Sequence, residues 1–188
     1  MDHCDEVCSS KGIPEHLHQL GREVDPDFPD EELLFRRFRF SNADLTSAIK
    51  FNEMSVNRAK YGLSPDDVLW NDDAGGKYDG YGVVQFPVAA LNGEWRHPDE
   101  RKVPITYRLT PLHKPRQCNY PHSEVTAIEF NRESQTAQSA KDIKPTSVKM
   151  KIREHLQAHV KIVLPPEDLG LGLPMQKESP RGLAPGQA

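Results

Sequence analysis

The stretch Thr110–Phe130, TPLHKPRQCNYPHSEVTAIEF, decides how the chain is read. Its first half is a turn-rich loop marked by Pro111, Pro115 and Pro121 and loaded with reactive side chains: His113, Cys118, Tyr120, His122 and Glu124. Its second half, from about Ser123 to Phe130, is an apolar run of strand character. Working residues commonly sit on loops held by rigid elements, and this is the densest set of reactive groups in the chain.

Working outward, Val103–Leu109 reads as the strand before the loop, and Tyr81–Val88, YGVVQFPV, as an earlier one. Val84, Phe86 and Val88 alternate along it, while Pro87 lacks a backbone donor and so marks an edge or an end. Leu33–Phe40, LLFRRFRF, is the first strong strand. Successive strand side chains face opposite ways, so Leu34, Arg36, Phe38 and Phe40 share one face and Phe35, Arg37 and Arg39 the other. Arg36 thus falls on the more apolar face. A buried guanidinium is costly without a partner, so Arg36 should meet a core carboxylate or a ligand.

Between these strands, Ser55 or Asn57 is expected to cap a helix containing Arg58, Ala59 and Tyr61 and closed by Gly62. Ser64-Pro65-Asp66-Asp67 starts a second short helix that buries Val68 and Leu69. Asn71–Gly80 reads as an exposed, mobile loop. Ser147–Val160 is the clearest helix, with Val148, Ile152, Leu156 and His159/Val160 on one stripe. A short strand starts at Lys161. Strands and helices mixed in this way, without regular βαβ units, predict an α+β fold with a mainly antiparallel or mixed twisted sheet. The expected organisation is a flexible acidic leader over residues 1–29, one domain over 30–165 with a polar insert at 131–146, and a disordered tail over 166–188.

Composition narrows the function classes. The chain has 188 residues, 36% hydrophobic and 28% charged, as for one folded domain with polar ends. A net charge of −4 supplies no overall pull toward nucleic acid or an anionic membrane. No apolar run approaches the roughly 18 residues that span a bilayer. The acidic start, MDHCDEVCSS, lacks the pattern of a secretory signal. Cys4, Cys8 and Cys118, an odd and small number, imply no disulfide framework, so the expected setting is reducing and cytoplasmic.

Three readings of the chemistry compete. In the first, His113, Cys118 and His122 form a metal set, H-x4-C-x3-H, with Glu124 as base or fourth ligand, although the prolines limit how so short a loop wraps an ion. Cys4, Cys8, His16 and His18 form a second cluster of ligand types whose spacing fits no strong zinc pattern.

In the second, an arginine in an early strand (Arg36), a serine after a later apolar segment (Ser55) and a glutamate opening a late strand (Glu124) follow one another, with SVNRAKYG, YGVVQFPVAAL and HSEV around them. This layout over residues 33–130 resembles that of ADP-ribosyltransferase-like folds. The Ser-Thr-Ser triplet of that group is replaced here by Met54-Ser55-Val56. The resemblance implies an NAD-consuming site without metal. Glu124 would stabilise the positive charge that develops at the ribose as nicotinamide leaves. Arg36 would hold the pyrophosphate, Ser55 would order the site, His122 would help bind ribose, and Tyr61 is the one assignable aromatic.

The third reading is a non-enzymatic binding module. FRRFRF would stack and neutralise single-stranded nucleic acid, helped by the basic KMKIR segment, or the helix and tails would contact a protein partner.

Overall fold

A computed structural model of the protein describes residues 3–39, 49, 53–140 and 142–166. Helix α1 spans His3–Ser10, and β1 (Leu33–Arg39), β2 (Met54–Arg58), β3 (Tyr81–Pro87), β4 (Trp95–Arg96), β5 (Ile105–His113), β6 (His122–Asn131) and β7 (Thr136–Ser139) follow; α2 (Thr146–Gln157) and β8 (Lys161–Leu164) complete the order. The strands form one antiparallel sheet ordered β4-β5-β6-β2-β1-β3-β8, with β7 paired to β6. The sheet dominates a single domain with few helices, which is α+β in coarse outline.

The longest ladder joins the two halves of the stretch quoted first. β5 pairs with β6 from Ile105↔Asn131 to His113↔Ser123. Pro111 is tolerated within β5 because β4 pairs with that strand only at Tyr107 and Thr106, leaving the edge beside Pro111 without a neighbouring strand among the described residues. The loop between β5 and β6 is pinched by the Arg116↔Asn119 bridge.

Both faces of the central strands are covered, so adjacent residues of β1 are buried in opposite directions. Leu34 packs with Val56, Phe86, Val125 and the stripe Val148, Ile152 and Leu156 of α2. Phe35 packs on the other face with Val83, Leu63, Val68, Leu69, Ile13, Leu17 and the cysteines 8 and 118. Phe35 and Phe38 are 5% and 2% exposed, so neither ring presents a stacking platform for bases. Phe40 lies outside the described residues.

That second layer corrects several expectations. Residues 3–29 pack against the sheet instead of forming a loose leader. Leu17 and Ile13 are buried, Gln19 N–H donates to Gln117 O, Tyr120 N–H donates to Leu17 O, and the Tyr120 hydroxyl donates to Glu23 O. Cys8 and Cys118 form a disulfide that joins this segment to the β5–β6 loop across 110 residues. The expectation of no disulfide is therefore overturned, and the reducing, cytoplasmic setting loses the argument on which it stood. Among the described residues no helix is long and apolar enough to cross a membrane.

Ser55 caps no helix; it lies within β2, whose residues pair with β6, and only Ala59–Tyr61 forms a 3-10 turn, closed by Gly62 in the left-handed region at φ 77°. The sheet contacts of Met54 and Val56 outweigh the local capping signal. The expected short helix at Ser64 is a 3-10 helix, Pro65–Leu69, closed at its start by a reciprocal Ser64–Asp67 capping box. In the expected exposed loop at residues 71–80, Asp72 is buried. The polar segment after Asn131 returns as β7 and pairs along β6, so it extends the sheet. The tail over residues 167–188 lies outside the described residues.

Candidate functional site

β1 and β2 pair only at Leu34↔Arg58 and Phe35↔Asn57. Beyond that point Arg36 extends its guanidinium to β2, donating from Nη1 to the Ser55 carbonyl at 2.7 Å. A cavity of about 430 Å³ opens there, lined among others by Arg36, Arg37, Arg39, Ser55, Asn57, Arg116 and His122. Among the described residues, four arginines and two carboxylates, those of Glu53 and Asp72, line it. Asp72 is already engaged by Arg116 Nη1 at 3.1 Å. Among the described residues the lining is therefore basic on an acidic chain.

Arg36 is 8% exposed, and its Nε has no hydrogen-bond partner. Among the described residues it has no carboxylate partner. Burial, with the neighbouring Arg37 charge adding to it, lowers its pKa from 12.5 to about 10. Arg37 is directed elsewhere: Nη1 donates to the carbonyls of Val68 and Trp70, and its guanidinium lies 4.0 Å from the centre of the Tyr78 ring. Asn57, 7% exposed, also lines the cavity, and its Oδ1 is unpartnered.

His122 is placed by the start of β6, in register with Asn57 and diagonal to Ser55 on the same face. Its Nδ1 lies 2.7 Å from Lys114 O and its Nε2 3.2 Å from Ser55 Oγ. A carbonyl oxygen only accepts, so Nδ1 carries the proton and the Ser55 hydroxyl donates to Nε2. Burial lowers the pKa of the ring, against an opposing pull from the Lys114 carbonyl. The imidazole is thus neutral at pH 7.

The structure brings Arg36, Ser55 and His122 to one cavity and leaves Glu124 and Tyr61 out of it. Glu124 is in register with Ser55, so its side chain shares the Ser55 face, whereas alternation along β1 directs Arg36 from the opposite face. Ser55 and His122 also lie on that face but reach the cavity, whereas Glu124 is not among its lining residues and its carboxylate is ion-paired with Lys114 Nζ.

Tyr61 belongs to a second polar cluster. Its hydroxyl donates to Asp25 Oδ2 at 2.8 Å, and its ring packs 4.8 Å from Tyr120 and 5.6 Å from His113. At the centre of that cluster Arg58, 0% exposed, donates from Nε and Nη2 to the two carboxylate oxygens of Glu32 at 2.8 and 2.7 Å. It also reaches the carbonyls of Asp25 and Asp27 and lies 3.7 Å from the centre of the Phe28 ring. The core ion pair expected of Arg36 is made by Arg58.

The ligand types of the metal reading are otherwise engaged in this structure. Cys118 is in the disulfide, and His113 Nδ1 accepts from Asp25 N–H while Nε2 donates to Tyr120 O. Cys8 is likewise consumed, and the side chain of Cys4 lies outside the described residues. Among the described residues no group of three or more His, Cys, Asp or Glu could hold a metal ion.

Arg116 was not singled out from the sequence, and Asn57 was read only as a candidate helix cap. Arg116 lies in the stretch quoted first, but nothing local distinguishes it from a solvated loop arginine. No family model matches the chain, and no curated protein or solved structure matches it either.

Proposed function

We propose that the cavity between β1 and β2 binds a small anionic molecule carrying phosphate or pyrophosphate. The observation that carries this reading is Arg36, a buried guanidinium held by a backbone carbonyl and by no carboxylate among the described residues. One pKa unit is worth about 1.4 kcal/mol, so its desolvated charge costs on the order of 3 kcal/mol. An anion seated against it offsets that cost, and the planar fork suits phosphate oxygens. The cavity volume is at the lower end of the range for small-molecule sites.

NAD is the ligand implied by the resemblance, and it carries the pyrophosphate this pocket suits. Arg36, Ser55 and His122 lining one cavity supports that ligand. Cleavage of its glycosidic bond needs a carboxylate at the ribose, and among the described residues the carboxylates lining the cavity are Glu53 and Asp72. NAD-consuming transfer by Glu124 requires that side chain to leave Lys114.

Calorimetric titration with pyrophosphate, ADP and NAD tests the binding reading, and nicotinamide release tests consumption. Binding of at least one of the three, lost in Arg36→Met with the fold retained, is the expected result. Equal affinity in wild type and Arg36→Met would sink the reading.

A further inference from the structure

The same cavity holds an arrangement that anion binding leaves unused. Ser55 is exposed, and its hydroxyl donates to His122 Nε2 at 3.2 Å. The ring behind it is 3% exposed, and Nδ1–H is fixed on Lys114 O at 2.7 Å. Nucleophile, base and orienting acceptor therefore stand in line, with the reactive oxygen open to the cavity and the ring locked in the tautomer that accepts a proton. Arg36, bound to the carbonyl of Ser55 itself, brings a positive charge to the same residue. From this geometry we propose that Ser55 is the nucleophile and His122 the general base of an acyl-transfer site acting on small esters that bear an anionic group. The substrate class rests on the anion-binding reading above; the nucleophile does not.

The steps balance without a cofactor. As Ser55 Oγ forms its bond to the ester carbonyl carbon, its proton passes to Nε2. The tetrahedral adduct collapses, the bond to the leaving alcohol oxygen breaks, and that oxygen takes the proton from Nε2. Water then gives a proton to Nε2 and attacks the acyl carbon, and the Ser55 oxygen departs and regains a proton. The products are a carboxylic acid and an alcohol. Base assistance of this kind contributes typically 10²–10⁴-fold.

The test uses the full chain, a fluorophosphonate probe with peptide mapping, and release of 4-nitrophenol from 4-nitrophenyl hemisuccinate and 4-nitrophenyl acetate. The expected result is one adduct, on Ser55, absent in Ser55→Ala, and formed about 100-fold more slowly in His122→Gln. The anionic hemisuccinate should exceed the neutral acetate about tenfold or more in kcat/KM. Because His122 is buried and its variant risks misfolding, Ser55→Cys gives a second readout. Its thiol, mapped by peptide, should alkylate with iodoacetamide faster in the folded chain than in urea. Pyrophosphate binding that is equal in wild type and Ser55→Ala, with no adduct on Ser55, overturns this inference and leaves the binding site standing. An adduct on Ser55 with both esters turned over alike supports the nucleophile and overturns the anionic substrate class, while the calorimetric titration decides the binding reading separately. An adduct that forms as fast in a folded His122→Gln overturns the role of the histidine.

Discussion

Arg36 and Arg58 lie on neighbouring strands of one sheet, both with little or no exposure, and they solve the problem of a buried charge in opposite ways. Arg58 has a bidentate carboxylate, two carbonyls and an aromatic face. Arg36 has one carbonyl and an orphaned Nε. A charge whose partners are all supplied by the fold is a structural fixture. A charge that is desolvated and left short of partners is a candidate for a ligand site. The lesson is that burial alone does not separate the two; the partner inventory does.

The comparison breaks most readily at Arg58. Removing one member of a buried pair strands the other, so Glu32→Gln or Arg58→Met should cost about 3–5 kcal/mol in urea unfolding. Arg36→Met should change stability by about 1 kcal/mol or less, or raise it, because it removes a charge with no acidic partner among the described residues. Equal large losses in both variants would mean that Arg36 is as structural as Arg58.

A somewhat smaller loss is expected on opening the disulfide. The segment that supplies the Asp25 and Asp27 carbonyls to Arg58 is tied down through Cys8. Cys8→Ser with Cys118→Ser should lower stability by about 2–4 kcal/mol, read by denaturant midpoint. Unfolding that is insensitive to reductant in the wild type would refute the linkage.

Acid sharpens the comparison further. Burial lowers the pKa of both His113, beside the Arg58 cluster, and His122, in the cavity, below the usual 6.5. Below that value the unfolded chain binds protons that the folded chain refuses. Stability is therefore full above pH 6.5 and falls as pH drops through and below it. Asp25 extends the loss below its usual 3.8, because the Lys60 ammonium, then Tyr61 and Arg58, outweigh the cost of its desolvation and hold its carboxyl low. A denaturant midpoint that is flat from pH 7 to 5 would contradict the two histidine assignments.

The smallest effect is expected at Lys114, whose half-exposed ammonium pairs with Glu124. Lys114→Ala should cost at most about 1 kcal/mol. The same variant frees Glu124, so a rise in nicotinamide release would favour a catalytic role for that carboxylate, and unchanged release would count against it.

Much of the fold was legible because its signals are local. The aromatic-rich run Leu33–Phe40 bounded by turn residues, the apolar run after Ser123 and the 3.6-residue stripe of α2 each appear within a dozen residues. The Ser64 cap was legible for the same reason, since its partner Asp67 is three residues away. Ser55 misled because its capping signal competes with strand pairing to β6, which the sequence around it does not display. The site was half legible. Arg36 on an apolar face, and Ser55 and His122 as polar groups near strand ends, could be named, but their meeting depends on the register of three strands.

The sequence by itself determined the periodicities, the turn punctuation and the demand that Arg36 meet an acceptor, since these follow from backbone geometry and desolvation. Tertiary structure alone decided which arginine received Glu32, which cysteine met Cys8 and which face Glu124 took. Those choices join residues far apart along the chain, and a shift of register by one residue reverses every side chain's face.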